Sequence, residues 1–371
     1  MNCFNLDLPR LPPDALLEYP EFAALRATEQ DSIFHSEGDV WLHTLAAAAA
    51  LKAMPAWQAL DPEAQFITYA AILLHDIGKP ATTRVDEDGR IRSPGHAGVG
   101  AKIARSLLYR EGVPFAWREA ICGLVRWHAL PPRITDRADP EREAIRASMI
   151  TRADLLLLVV EADARGRGSV PASYLEAIDL YRELAHDLGI SHHPYPFFSD
   201  HTRFRYFQDS SKHHRDQIDD DTRCRGTLVS GLPAAGKDRW VAEHAGDLPI
   251  VSLDQLRESM RIDPGDNQGR VIVAAREQAR VFLREGQAFV WNATNTTRLT
   301  RQRVIRLLAN YNAHIHIVYL EAPWQEVLRR NKARKARVPE KIMRKLLRNL
   351  EVPDATEAHQ VTHEVRQSDS S

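Results

Sequence analysis

The sequence predicts two domains, an all-α domain followed by an α/β domain built on a parallel sheet. Three observations carry this. The chain has 371 residues, and at roughly 100–200 residues per domain that is room for about two. Up to about Ser199 the apolar positions mostly recur at helical spacing. After Arg225 short apolar runs alternate with helical segments, the pattern of βα units that pack a parallel sheet between helices.

In the first half, Gly38–Met54, Pro62–His75, His96–Glu111, Trp117–His128 and Arg142–Ala164 read as amphipathic helices. Stretches rich in Pro, Gly and charge separate them, as at Lys79–Gly95 and Pro131–Pro140. No strand alternation is strong enough there to predict a sheet. His201–Asp221 is polar and charged, so domain limits of 1–205 and 223–371 are expected, with a linker over 206–222. In the second half GTLVS, LPIVSLD, QAFVWNAT, HIHIVYLEA and HQVTHEV read as strands. Helices are expected at Arg270–Arg284, Arg298–Tyr311, Trp324–Ala333 and Pro339–Leu350.

Composition narrows the function classes. Hydrophobic residues make up 44% of the chain, enough for ordinary buried cores. Forty-nine basic residues face 50 acidic ones, so any pull toward nucleic acid or an anionic membrane must come from a local patch. Cys3, Cys122 and Cys224 are far apart and match no zinc or disulfide pattern. The first residues lack the basic and apolar regions of a signal peptide. No apolar run approaches the roughly 20 residues of a membrane helix. A cytoplasmic protein with no membrane partner is the expectation.

Chemistry in the first half gathers on histidine and aspartate. His43 and the pair His75–Asp76 fall on helices, and an acid near the end of the last long helix joins them, either Asp154 or Asp163. Imidazole and carboxylate together suit a divalent transition metal, which makes water nucleophilic and polarises a phosphoryl oxygen. His75–Asp76 closes an apolar helix, where charged groups are costly without a partner or a metal. The motifs HSEGDVWLH, LLHDIGKP, GHAGVGA, a helix-borne WH and EADARGRG, in that order over about Asp31–Gly168, resemble the HD phosphohydrolase superfamily. They are similar in particular to the HD domain of some bacterial tRNA nucleotidyltransferases. The resemblance implies that His43, His75, Asp76 and Asp163 hold a metal such as Mn, Ni or Co. Asp154 stands about half a helical turn out of phase with Asp163. Lys79 would then meet the substrate phosphate, and His96 and His128 would bind that phosphate or a second metal.

In the second half Gly231-Leu-Pro-Ala-Ala-Gly236-Lys237 follows a strand and opens a helix, the context a phosphate-binding loop requires. Its backbone N–H groups and the helix N-terminus would cradle the phosphates of ATP or another NTP, with Lys237 on the β/γ oxygens. Where the pattern wants Ser or Thr for Mg²⁺ there is Asp238. Asn292, Thr294 and Asn295 end the third strand near the expected nucleotide, and an acid is the commoner choice at Asn292. Asp254 and Arg257 are three apart at a helix start and share a face. The carboxylate suits a general base and the arginine an acceptor-phosphate contact. Arg330 and Arg334 lie within the basic run RRNKARKARVPEKIMRK, read as a helical lid that closes over the transferring phosphoryl group.

The spacing of GxPxxGK, D-x-x-R and R-N-x-x-R followed by V-P resembles the polynucleotide kinase branch of P-loop kinases. That resemblance implies Asp254 as base, Arg257 on the acceptor phosphate, and Arg330 and Arg334 as lid arginines. The fused arrangement is similar to the HD-Pnk family of bacterial end-healing enzymes. It implies removal of a 2′,3′-cyclic phosphate or 2′-phosphate, with a 3′-phosphate as a further option, and NTP-dependent phosphorylation of 5′-hydroxyl RNA or DNA ends, which a ligase then seals. Two other readings fit the residues alone: a nucleotide phosphohydrolase joined to a metabolite kinase, and a phosphatase gated by a non-catalytic NTP-binding domain.

Overall fold

The computed structural model describes residues 12–31, 38–263, 265–334 and 336–366. Part of the first expected motif, residues 35–37, lies outside them, as does Lys335 of the basic run. The chain forms two compact units, Met1–Pro196 and Phe197–Ser371.

The first unit is helical. Its longer helices are Val40–Ala53, Pro62–Leu74, His96–Arg110, Phe115–Trp127, Pro140–Ser148, Ala153–Arg165 and Ala172–Asp187. Several starts are written in the sequence as Asp, or Asp followed by Pro. The side chains of Asp39, Asp61 and Asp139 accept from backbone N–H groups of the first turn, each cap contributing about 1 kcal/mol. Pro62–Leu74 is the central helix. It was expected to be amphipathic, but ten of its 13 residues are buried. It packs on Val40–Ala53, Phe115–Trp127 and Ala153–Arg165.

Two further expectations fail here. Arg142–Ala164 is not one helix; it breaks at Met149–Arg152, with Arg152 extended. Apolar periodicity runs on across the break and no Pro or Gly marks it, so the sequence reads as continuous. The first half also holds a small antiparallel hairpin, β1 Arg84–Val85 with β2 Ile91–Arg92, whose strands are too short to show alternation.

The second unit carries a five-stranded, all-parallel sheet of β3 Cys224–Ser230, β4 Ile250–Ser252, β5 Phe289–Asn292, β6 Ala313–Glu321 and β7 Gln360–Val365, in the order β4-β5-β3-β6-β7. β3 is central, and the chain leaves it toward one edge and later fills the other. Ligands of open α/β sheets bind at such a switch point, beyond the carboxyl ends of the strands. The expected linker 206–222 is corrected at its start. Asp200–Gln208 is a helix, Phe204 belongs to the core of the second unit, and Arg203 donates to the carbonyls of Ala355 and His359. The polar composition of this segment outweighs its buried aromatics, Phe204 and Tyr206.

Candidate functional sites

In the first unit the helix ends converge. Val40–Ala53 lies so close to the end of Ala153–Arg165 that a Cβ on Gly166 would meet the Ala47 backbone at 2.6–2.7 Å. This contact sets His43 against Asp163, with 2.9 Å between Nε2 and Oδ1. Likewise a Cβ on Gly78 would fall 2.1 Å from the His96 carbonyl, and the loop's approach there brings Asp76 Oδ1 to 3.4 Å from His96 Nε2. The other oxygen of Asp76 lies 3.2 Å from His75 Nε2, 3.8 Å from His43 Nε2 and 2.6 Å from Lys79 Nζ. Asp76 therefore stands between two sets of ligand atoms, each set within 4.8 Å: His43–His75–Asp163, and Asp76–His96–His128. Asp154 is elsewhere, bonded to Arg152 and His192.

The donor chemistry fits a cation. His75 gives its Nδ1–H to the Ile72 carbonyl at 2.7 Å, and its buried Nε2 makes no well-aligned hydrogen bond but faces Asp76 Oδ2 at 3.2 Å and Asp163 Oδ1 at 3.7 Å. His96 and His128 likewise donate from Nδ1, to the Ser93 and Val125 carbonyls, so two Nε2 lone pairs face each other across 3.1 Å. Burial lowers the pKa of both rings, His128 to about 3 with help from His96 and His75, so no second proton sits between them at neutral pH. Burial opposes the charges of Asp76 and Asp163 as well. His75 and Lys79 overcome it for the first and Arg167 and His43 for the second, and both carboxyls stay ionised well below the usual range. Burial also works against a charged His75, yet Asp76 and Asp163 outweigh it and hold that imidazolium up at about 10. A bound metal would replace that proton.

Sequence reasoning missed the groups behind Asp163. Arg167 Nη2 donates to Asp163 Oδ2 at 2.8 Å, and the Tyr174 hydroxyl donates to the same oxygen at 3.3 Å. Arg167 also lies over the Tyr174 ring. The i,i+4 spacing of Asp163 and Arg167 was the available signal. Lys79 does not stand ready for a phosphate alone; it is held by Asp76 and by Gln30 Oε1.

In the second unit the loop from Gly231 to Lys237 joins β3 to the helix Lys237–His244, with Gly231, Ala234 and Gly236 at positive φ. Lys237 Nζ folds back onto the Gly231 and Leu232 carbonyls. Burial lowers its pKa to about 8, with Arg334 adding to the fall against the pull of Asp238 and Asp254. Arg334 is thus close to the loop. Arg330 Nη1 comes within 3.9 Å of the Cβ position of Gly236. Arg330 and Arg334 do not lie on one helix, as the reading of a helical lid expects, because the helix Trp324–Ala333 ends before Arg334, which is extended. Asp254 and Arg257 are ion-paired, and Arg257 Nε also donates to Gln268. Asn292 Nδ2 donates to Asp238 Oδ1 at 2.9 Å. Asn295 points the other way and holds the Val229 carbonyl of β3.

Another missed pair braces this loop region. Arg301 and Glu357 form a buried two-pronged bridge at 2.8 and 2.7 Å, and Arg301 also reaches the Asn295 and Glu351 carbonyls. Breaking such a buried pair costs about 3–5 kcal/mol. An exposed pair such as Asp254–Arg257 is worth roughly 0–1 kcal/mol. The first is therefore structural, and the second is free to open for an acceptor.

Two family models match this chain, one described as HD domain over residues 40–158 and one as AAA domain over residues 227–353. The chain joins an HD domain to a P-loop kinase-like domain. Asp163 lies just beyond the matched part of the HD domain. Among similar proteins are the CC-adding tRNA nucleotidyltransferase of Thermus thermophilus, 38% identical over 45% of this chain and 36% of its own length, and a Multifunctional CCA protein of Thioalkalivibrio sulfidiphilus, 30% identical over 47% and 41%. A bifunctional uridylyltransferase/uridylyl-removing enzyme of Ruegeria pomeroyi is 33% identical over 33% of this chain and 14% of its own length. The chain thus spans well under half of these relatives. A solved structure from Chloroflexus aurantiacus, whose kinase assignment is itself provisional, aligns at a TM-score of 0.33 with 19% identity, over 39% of this chain and 86% of its own. No helix among the described residues is long and apolar enough to cross a membrane.

Proposed function

We propose that this chain heals broken nucleic-acid ends in the manner of the HD-Pnk family. The HD domain would remove a 2′,3′-cyclic phosphate, a 2′-phosphate or a 3′-phosphate, and the P-loop domain would phosphorylate a 5′-hydroxyl from ATP or another NTP. The supporting observation is that one chain carries a buried His/Asp cluster suited to a divalent metal and a phosphate loop approached by two arginines, with the openable Asp254–Arg257 pair on the helix that follows β4. One relative is named for adding nucleotides to tRNA, which favours a nucleic-acid end as substrate.

In the P-loop domain, Asp254 takes the proton of the acceptor hydroxyl as the hydroxyl oxygen attacks the γ-phosphorus, and the bond to the β–γ bridging oxygen breaks to release the nucleoside diphosphate. Arg257, released from Asp254, grips the acceptor's phosphate. Lys237, Arg330 and Arg334 meet the negative charge on the transferring group. In the HD domain His43, His75, Asp76 and Asp163 would hold a metal such as Mn, Ni or Co, with His96 and His128 on a second cation or the substrate phosphate. When bound, the metal would supply Lewis acidity toward water and a phosphoryl oxygen. Lys79 then turns from Asp76 to the departing phosphate.

The test is transfer of label from γ-labelled ATP to a short 5′-hydroxyl RNA or DNA. Wild type is expected to transfer, and Asp254→Ala to lose about 100-fold or more. No transfer by wild type, across several metals and NTPs, would leave the metabolite kinase or the nucleotide-gated phosphatase.

A further inference from the structure

The two residues that depart from the usual phosphate-loop pattern, Asp238 and Asn292, are bonded to each other. Asp238 is the first residue after Lys237, where the pattern places a Ser or Thr hydroxyl for the nucleotide's cation. Asn292 is the last residue of β5, the strand beside β3, and stands where an acid is commoner. We infer that the two positions have exchanged chemistry: Asp238, on the helix, supplies the carboxylate for the divalent cation of a bound nucleotide, and Asn292, on the strand, orients it. This rests on reading the loop as a nucleotide-phosphate site.

An ionised carboxylate only accepts hydrogen bonds, so the amide nitrogen of Asn292 must be the donor across the 2.9 Å contact. That bond engages Asp238 Oδ1 and leaves Oδ2 for a cation. With an acid at 292, two carboxylates would face each other at hydrogen-bonding distance and repel. With Ser or Thr at 238, Asn292 would face no carboxylate. Each residue makes sense only in the presence of the other, and together they keep a single carboxylate at the site.

Electrostatics argues that this carboxylate needs a cation. A bare anion beside the Lys237 loop opposes phosphate binding. Lys237 offsets it only in part, since its Nζ is engaged by the Gly231 and Leu232 carbonyls. Asp238 is exposed, so it can reach a hydrated Mg²⁺, which typically keeps several waters and takes one or two carboxylates plus substrate phosphates. The opposing reading is a helix N-terminal acid with a local partner, which would make no demand on the metal.

The two readings separate in nucleotide binding without turnover. Affinity for ATP is measured calorimetrically with EDTA and with Mg²⁺, for wild type, Asp238→Asn, and the double exchange Asp238→Ser with Asn292→Asp. In wild type, Mg²⁺ should tighten binding strongly. In Asp238→Asn the metal-free affinity should rise, because an anion has left the phosphate site, while the gain from Mg²⁺ should shrink by about tenfold or more. The double exchange should recover that gain. Asp238→Asn keeping the full gain, or losing affinity equally with and without metal, overturns the inference and leaves the kinase reading intact. Wild type binding no nucleotide under either condition overturns both.

Discussion

At the scale of single residues, both sites depend on groups one step behind the reacting ones. Asp163 carries its charge into a buried site because Arg167 and Tyr174 hold its outer oxygen. Such supporting partners usually matter about 10–100-fold to metal affinity. Arg167→Ala should therefore weaken Mn²⁺ binding to the HD domain by that order in calorimetry. Tyr174→Phe, which loses only the 3.3 Å bond, should weaken it less and keep the native melting temperature. Equal metal affinity in wild type and both variants would show that Asp163 needs no such support. The cluster of proposed ligands was legible, because HD and EADARGRG are short motifs on helix ends. Their supporters were not, because an arginine four residues from an acid reads as an ordinary surface pair until burial is known.

At the scale of elements, the segment proposed as a lid is followed by a helix of unusual character. Between Trp324 and Leu350 there are ten basic residues and two acids. Both acids are already paired, Glu326 with Arg329 and Arg330, and Glu340 with Arg344. The helix Glu340–Arg348 buries Met343 and Leu347 and exposes Lys341, Arg344, Lys345 and Arg348. Its apolar face is spent on the core, so a polyanion suits the basic face better than a membrane does. Each single-strand phosphate contact contributes a slope of about −0.7 to log affinity against log salt. Replacing Lys341, Lys345 and Arg348 together with alanine should flatten that slope by roughly 2 for a 20-nucleotide strand. An unchanged slope would send the strand elsewhere. The parallel sheet and most helices of the second unit were legible, since β-rich runs alternate with periodic segments. The break at Met149–Arg152 and the helix Ala172–Asp187 were not. No Pro or Gly marks the break, and the later helix buries only Ala177, Ile178, Tyr181 and Ala185, too thin a stripe to stand out.

At the scale of the whole molecule, each unit has its own hydrophobic core, one around Leu73, Leu156 and Val160 and the other around Leu228, Phe289 and Ile317. Separate cores predict separable activities. Asp76→Ala should abolish phosphate release from 2′,3′-cyclic ends and spare 5′ labelling, and Lys237→Ala should do the reverse. Loss of both activities from either change would mean that the two halves are thermodynamically coupled. The helix Asp200–Gln208 bears on how the halves can be parted. A cut anywhere in 206–222, where composition alone suggests a hinge, would carry Phe204 and Arg203 away with the wrong partner. The kinase-like unit would be left with an open wound in its core and three carbonyls near β7 without their Arg203 donor. The natural seam is earlier, at Pro196, and a dissection that respects it hands each activity its complete inheritance.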